Sequence, residues 1–180
     1  MRARARSMWQ YTGEERPSFA DDPGVGQESV WDYPRPPILV RDTREVLLRA
    51  GNLDIARTRN ALRLLETASP PTFYIPLAEA RTEFLREAPE FAESSCEWKG
   101  NARYWSIVGN DFNLPAAAWS YHAPHAPYAQ LADHFSVYPG RVECFVDGEA
   151  VRSQDGGFYG GWITDEIVGP WKGAPGTSGW

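Results

Sequence analysis

The stretch Glu45-Val-Leu-Leu-Arg-Ala-Gly-Asn-Leu-Asp-Ile-Ala-Arg-Thr-Arg59 decides the class of fold. Its second half, from Leu53 onward, alternates apolar and polar residues, which is the pattern of a half-buried strand. The Gly51-Asn52 pair between the two halves is typical of a tight turn. The stretch therefore predicts a β-hairpin, and it gives the first sign of a chain built mainly from strands.

Short apolar runs bounded by turn residues recur on both sides of this hairpin, which is the pattern of further strands. These runs are Ile38–Val40, Thr72–Ile75, Ala102–Val108, Ala116–Tyr121, Phe135–Tyr138 and Val142–Val146. The run Ala61–Glu66 is compatible with either a helix or a strand, because strong helix formers lie between turn residues. The pattern as a whole predicts a mainly β domain.

One segment has the spacing of a helix. Between Leu77 and Ala88, the residues Leu77, Ala80, Phe84 and Leu85 share one helical face, and Pro89 follows directly. The expected fold is a β-rich α+β structure, a compact twisted sheet or open barrel with this one short helix.

Two segments flank the strand-rich region. Residues 1–28 contain scattered glycines, prolines and charges without any period, and they predict a flexible N-terminal arm before a single domain over residues 29–180. From Ser153 onward the chain is rich in glycine but also contains Trp162, Trp171 and Trp180. Because a free linker has no use for three indoles, we expect this tail to wrap around the domain.

Composition excludes several classes of protein. The chain has 180 residues, a net charge of −6, 42% hydrophobic residues and 23% charged residues, which is ordinary for one globular domain. An acidic chain is poorly suited to nucleic acid, and no apolar run approaches the roughly 20 residues that cross a bilayer. The first residues lack the apolar core of a signal peptide. We therefore predict a cytoplasmic protein that binds neither nucleic acid nor membrane.

The candidate metal ligands are few. Cys96 and Cys144 are the only cysteines, so a four-cysteine zinc site is excluded. His122, His125 and His134 lie close together in sequence, but Pro124 separates the first two and no His-Glu-x-x-His pattern is present. There is also no phosphate-binding loop of the Gly-x-x-x-x-Gly-Lys type. The sequence predicts no metal and no cofactor.

Lysine is confined to two places. Among 18 basic residues only Lys99 and Lys172 are lysines, and each stands in a Trp-Lys-Gly triplet. An ammonium beside an indole is able to form a cation–π contact, and the following glycine allows a ligand to approach the backbone. Lys172 is also compatible with a simple turn in which the side chain covers a ring. We place Lys99 at a binding site.

The aromatic residues predict a small-molecule pocket around Lys99. In this hypothesis Trp98, Tyr104, Trp119 and Tyr121 line an apolar pocket, because aromatic walls with few polar groups are typical of ligand sites. Lys99 and Glu66 are its polar groups. Tyr74 and Trp162 are expected at the rim, where the adjacent glycines 160 and 161 expose backbone N–H groups to an anion or carbonyl.

Two other functions stay open. In one, the chain is a small enzyme in which Lys99 or Glu66 transfers protons or attacks a carbonyl carbon. In the other, the tryptophan-rich tail is an exposed face that binds a partner protein. Exposed aromatic residues also mark interfaces between identical chains, so a homodimer is compatible with the composition.

Several motifs together resemble a known family. They are Ser29-Val-Trp-Asp-Tyr-Pro-Arg-Pro-Pro37, Ile55-Ala56, Leu65-Glu66-Thr67, Cys96-Glu-Trp-Lys-Gly100, Trp119-Ser-Tyr121, Tyr159-Gly-Gly-Trp-Ile-Thr164, and Gly169-Pro-Trp-Lys-Gly173 with Pro175-Gly176-Thr177. In this order they resemble the domain-of-unknown-function family 427, from about Gln27 to Trp180. The resemblance implies a compact β structure of the β-tent kind. Many proteins of that kind hold a structural zinc between paired cysteines, and this chain lacks the pairs.

Overall fold

The computed structural model of the chain describes residues 9–180. Within that range it contains sixteen strands and four short 3-10 segments. The strands are β1 Glu28–Ser29, β2 Ile38–Asp42, β3 Val46–Ala50, β4 Leu53–Thr58, β5 Ala61–Glu66, β6 Ser69–Pro76, β7 Leu85–Glu87, β8 Ser94–Cys96, β9 Gly100–Val108, β10 Asn113–Ser120, β11 His134–Val137, β12 Glu143–Val146, β13 Glu149–Ala150, β14 Arg152–Ser153, β15 Trp162–Ile163 and β16 Ile167–Val168. The 3-10 segments are Val30–Asp32, Leu77–Glu79, Thr82–Phe84 and Ala126–Asp133. The predicted mainly β fold class is confirmed, and none of the sheets formed by these residues closes into a barrel.

The hairpin predicted at Glu45–Arg59 is present as β3 and β4. The two strands pair antiparallel, with Val46 opposite Thr58 and Ala50 opposite Leu53. Gly51 between them has a positive φ of 55°, which glycine adopts without steric cost. The hairpin belongs to a four-stranded sheet in the order β13-β12-β3-β4.

A second, larger sheet has eight strands, and two further sheets have two strands each, β1 with β16 and β14 with β15. The strands of the larger sheet run in the order β2-β5-β6-β11-β10-β9-β7, and β8 pairs with β9 at the side. Successive side chains of a strand point to opposite faces. In β6, Phe73 and Ile75 therefore pack into the main core together with the hairpin, whereas Tyr74 points to the other face.

The prediction of a helix between Leu77 and Ala88 is wrong. The structure has two 3-10 turns here, followed by strand β7, which pairs with β9. The Arg81 N–H donates a hydrogen bond to the Ile55 carbonyl of β4 at 2.8 Å. In a helix this N–H would bond to a carbonyl of the same segment, but here its acceptor lies in a neighbouring strand. The apolar residues of this segment do pack against the main core, and they are Leu77, Ala80, Phe84 and Leu85. Their spacing follows from this packing and does not indicate a helix.

Two other segments show how strands and helical turns are distributed in the domain. The ambiguous run Ala61–Glu66 is strand β5, which lies between β2 and β6. The segment Ala126–Asp133, which precedes β11, consists of two short helical turns separated by a kink at Tyr128. No helix within residues 9–180 is long and apolar enough to cross a lipid bilayer.

The chain ends pack together on the domain. Tyr11 and Phe19 each make edge contacts with the buried Trp31, at 5.2 Å between ring centroids. Trp180 stacks on Phe19 at 5.0 Å, and the Trp31 indole donates a hydrogen bond to the carbonyl of Pro170 at 2.8 Å. The tail thus wraps the domain as predicted. Residues 1–8 of the predicted arm lie outside the described part of the chain, and the division into arm and domain stays a prediction.

Candidate functional site

One face of the large sheet carries polar and aromatic side chains in adjacent strands. In β5, alternation places Leu62, Leu64 and Glu66 on the same face. Leu62 pairs in register with Tyr74 of β6, so the tyrosine stands beside the leucines on that face. The alternation that sends Phe73 into the main core therefore delivers Tyr74 and Glu66 to the opposite side of the sheet.

Strands β9 and β10 continue this face. Tyr104 and Trp119 are register partners, so their side chains lie next to each other. Trp119 contacts the ring of Tyr74 edge-on at 6.4 Å and that of Tyr138 at 4.5 Å. Tyr121, one residue beyond the end of β10, lies 6.4 Å from Tyr74. The result is a continuous wall of aromatic rings.

Loops close this wall into a pocket of about 440 Å³. The opposite side consists of residues 94–99, of the glycine-rich loop from Phe158 to Gly161, of Trp9 and of Lys172. Seven of the eight residues predicted to bind a ligand line this one pocket: Glu66, Tyr74, Trp98, Lys99, Tyr104, Trp119 and Tyr121. Their role in binding stays a prediction.

Lys99 is buried in this wall with only 8% of its surface exposed. Its Nζ lies 5.7 Å from the centroid of the Tyr121 ring, within cation–π range. Burial acts to lower the pKa of Lys99, but the neighbouring Tyr74, Cys96 and Glu66 outweigh it, and the net pKa is raised. The Glu66 carboxylate and the Tyr121 ring both favour the charged form of Lys99, and an ammonium group suits the binding of an acidic group rather than proton abstraction.

Glu66 is held by an arginine behind the pocket. Its carboxylate lies 3.5 Å from Nε of Arg35, whose side chain is almost completely buried. Arg35 also donates to the carbonyls of Tyr11 and Thr67, at 3.1 and 2.7 Å. This ion pair offsets the negative charge of Glu66, and it leaves Lys99 as the less neutralised charge in the pocket.

The prediction that Trp162 lies at the rim is wrong. The residue is fully buried, stacks on Phe73 at 4.8 Å and donates its indole N–H to the Val137 carbonyl at 3.2 Å. As the first residue of β15 it points into the main core, and the preceding Gly160 and Gly161 line the pocket instead. The Gly161 N–H is already bonded to Gln154 Oε1 at 3.1 Å, so it does not offer a free donor.

Sequence reasoning missed several lining residues. Trp9 lies in the segment that was predicted to be a flexible arm, and Tyr138 stands in no motif. Cys96 and Tyr159 open two of the motifs quoted above, but nothing in the sequence indicates that either residue lies in the pocket. Lys172 was discounted as a turn residue, yet it lines the same pocket as Lys99. The available signal was the repeated Trp-Lys-Gly triplet, which holds both lysines of the chain.

The histidines do not form a metal centre. Within residues 9–180 no group of three or more His, Cys, Asp or Glu side chains is placed to hold a metal ion. His125 pairs through Nδ1 with the Trp98 carbonyl at 2.9 Å, which fixes the backbone beside Lys99. His134 is half-buried, and burial lowers its pKa. Cys96 and Cys144 are free thiols.

Comparison with known proteins gives one family match. Residues 38–148 match the family model described as a domain of unknown function (DUF427). A search of curated proteins finds no match. The matched region contains strands β2 to β12 with the aromatic wall and Lys99, whereas Trp9, Lys172 and the glycine-rich loop lie outside it.

Proposed function

The chain belongs to the DUF427 family, and from that premise we propose that it is a small-molecule-binding protein whose pocket takes a planar compound with an acidic group. One observation carries the proposal: both lysines of the chain line a single pocket that is walled by tyrosine and tryptophan rings. Pockets of a few hundred Å³ with aromatic walls and few charges are typical of ligand sites.

The charges of the pocket favour an anion. Lys99 and Lys172 form no ion pair with a carboxylate of the described chain. Of the two lining carboxylates, Glu66 is paired with Arg35, and Glu97 is exposed. The local surplus is positive although the whole chain carries −6. A carboxylate or phosphate that reaches the Lys99 ammonium would gain a charge-assisted hydrogen bond in a site largely shielded from water.

The walls favour a flat apolar body. The Trp119 ring contacts those of Tyr74 and Tyr138, so aromatic surface is concentrated on this side of the pocket. The phenol groups stay protonated: burial raises the pKa of Tyr74 and of Tyr121. The neutral hydroxyls are able to donate to acceptor atoms of a ligand, whereas the Lys99 ammonium supplies the positive charge.

Calorimetry with 2-naphthoate tests the proposal, and 2-naphthamide is its uncharged control. We expect the wild-type protein to bind the acid more tightly than the amide. The Lys99→Met variant should lose about ten- to a hundredfold in affinity for the acid, because a hydrogen bond to a charged group contributes about 1.5–3 kcal/mol. Affinity for the amide should change little.

Arg103→Met provides the matched control, because Arg103 lies on β9 near Lys99 but is exposed and pairs with Glu93. This variant removes one positive charge from the same region and should bind 2-naphthoate as the wild type does. Equal losses in Lys99→Met and Arg103→Met, or equal affinity of the wild type for acid and amide, would contradict the proposal. Near-ultraviolet circular dichroism checks that each variant is folded.

A further inference from the structure

Lys172 stands in the pocket with its amine fixed in position. Nζ lies 4.9 Å from the centroid of the Trp9 ring and 5.8 Å from that of Tyr159, so the side chain is held between two aromatic residues. It donates one hydrogen bond to the Trp180 carbonyl at 3.2 Å. The residue is half-buried, and it lines the same cavity as Lys99.

A second cation lies against the same indole. The Arg35 guanidinium carbon is 4.3 Å from the centroid of the Trp9 ring, and Arg35 is almost completely buried. Two like charges on one ring disfavour each other, and arginine does not give up its proton. The neutral amine of Lys172 is therefore favoured relative to that of a surface lysine.

The two pocket lysines differ in protonation. Burial, and then the charge of Arg35, lower the pKa of Lys172, while Glu66 and Glu97 oppose the shift without cancelling it. The pKa of Lys99 is raised instead. One pocket thus contains one lysine whose charged form is favoured and one that is more readily deprotonated. An uncharged amine is the nucleophile that attacks carbonyl carbons.

We propose that Lys172 forms a reversible imine with an aldehyde or ketone whose acidic group is held by Lys99, an inference that rests on the proposed function. The Nζ lone pair attacks the carbonyl carbon, a C–N bond forms, and the carbonyl oxygen takes up a proton to give a carbinolamine. Loss of that oxygen as water leaves the imine, so amine and carbonyl give imine and water without any redox change. Glu66 and Glu97 are the nearby carboxylates for the proton transfers.

The hydrogen bond to Trp180 is compatible with the product. A protonated imine retains one N–H, and this N–H is able to donate to the Trp180 carbonyl as the free amine does. The rings of Trp9 and Tyr159 lie beside the nitrogen at which the new bond forms. Binding and bond formation therefore use different groups of the same pocket.

Reductive trapping with 4-formylbenzoate tests this inference. The compound carries an aldehyde and a carboxylate on one flat ring, and cyanoborohydride reduces an imine to a stable amine. Because the chain has only two lysines, peptide mapping by mass spectrometry assigns the adduct to Lys172, to Lys99 or to the N-terminal amine. We expect one reduced adduct on Lys172.

Two variants and one analogue complete the test. Lys172→Arg keeps the positive charge beside Trp9 and should lose the adduct completely. Lys99→Met keeps the nucleophile and should be trapped at least tenfold more slowly at low aldehyde concentration. The analogue 4-(hydroxymethyl)benzoate lacks the carbonyl, and calorimetry with it measures binding alone.

The outcomes separate the two proposals. If 4-(hydroxymethyl)benzoate binds but Lys172 carries no adduct, or the adduct lies on Lys99, the imine inference is overturned and the binding function stands. If the analogue does not bind and Lys172 carries no adduct, both proposals are contradicted. Equal trapping rates in the wild type and in Lys99→Met would overturn the role given to Lys99 in orienting the aldehyde.

Discussion

At the residue scale, Gly160 shows how closely the pocket wall is built. A Cβ atom added to Gly160 would lie 2.1 Å from Cη2 of Trp119, far inside van der Waals contact. The glycine-rich loop therefore rests directly on the indole that forms the centre of the aromatic wall. Only a residue without a side chain allows this approach.

We predict that Gly160→Ala distorts the pocket. Either the loop or the Trp119 ring must move, so affinity for 2-naphthoate should fall at least tenfold, and the free energy of unfolding should fall by about 1–3 kcal/mol. Calorimetry and urea unfolding measure the two effects. Gly140→Ala is the control, because a Cβ there meets Ser153 at an ordinary 3.5 Å. Unchanged affinity in Gly160→Ala would show that the loop does not shape the site.

Local sequence patterns predicted the residues of the wall but not its closure. Aromatic residues within predicted strands identified Tyr104 and Trp119, because aromatic walls with few polar groups are typical of ligand sites. The position of Trp162 could not be predicted from the sequence. Both residues of β15 are buried, so no alternation of apolar and polar residues shows whether the Trp162 side chain faces the main core or the pocket. Trp9 and Lys172 belong to opposite ends of the chain, and only tertiary packing places both of them in the pocket wall.

At the element scale, a group of charged residues joins strands that are distant in sequence. Asp42 at the end of β2 accepts hydrogen bonds from Arg44 at 2.6 and 3.0 Å, and it lies 3.4 Å from Arg63 of β5. Arg44 also binds Glu166, just before β16, at 2.6 Å. The group ties the edge of the large sheet to the two-stranded sheet of β1 and β16.

The helix predicted at Leu77–Ala88 shows the limit of periodicity at this scale. Apolar residues at helical spacing also fit two tight turns and a short strand that cover the same core. The choice between these structures depends on backbone partners in β4 and β9, such as the Ile55 carbonyl that accepts from Arg81. Such hydrogen bonds to distant strands cannot be predicted from the residues of the segment alone.

We predict that Asp42→Asn lowers the free energy of unfolding by about 3 kcal/mol, because it leaves Arg44 and Arg63 partly buried without their carboxylate. Burial alone would raise the pKa of Asp42, but the hydrogen bonds from Arg44 outweigh it and hold the pKa below the ordinary aspartate value. A lowered pKa means that the contribution is complete well above the ordinary aspartate pKa and is lost as the pH falls from there through the lowered value.

Urea unfolding between about pH 6 and pH 3 checks this prediction. The difference in the free energy of unfolding between the wild type and Asp42→Asn should be large at the higher pH. It should become smaller at the lower pH, where Asp42 takes up a proton. Asp22→Asn is the control, because Asp22 is exposed and its ion pair with Arg16 is 3.5 Å long. A constant difference across the range would contradict the electrostatic role of Asp42.

At the scale of the whole molecule, the two chain ends complete a site that the central sheet begins. The family match covers residues 38–148, which include Lys99 and the aromatic wall. The glycine-rich loop and Lys172 come from the C-terminal segment, and Trp9 comes from the N-terminal one. Two indoles of the tail pack against other parts of the chain, Trp162 in the main core and Trp180 against Phe19 and Trp31, which disfavours a partner-binding face made of these two residues.

A crystal structure of the protein with bound 2-naphthoate would show directly whether this pocket binds flat acidic molecules. We expect the naphthalene ring against Trp119 and Tyr121, with its carboxylate at about 2.8 Å from the Lys99 ammonium. A naphthoate bound elsewhere on the surface, or one inside the pocket with its carboxylate turned away from both lysines, would contradict the claim that this pocket recognises flat acidic molecules.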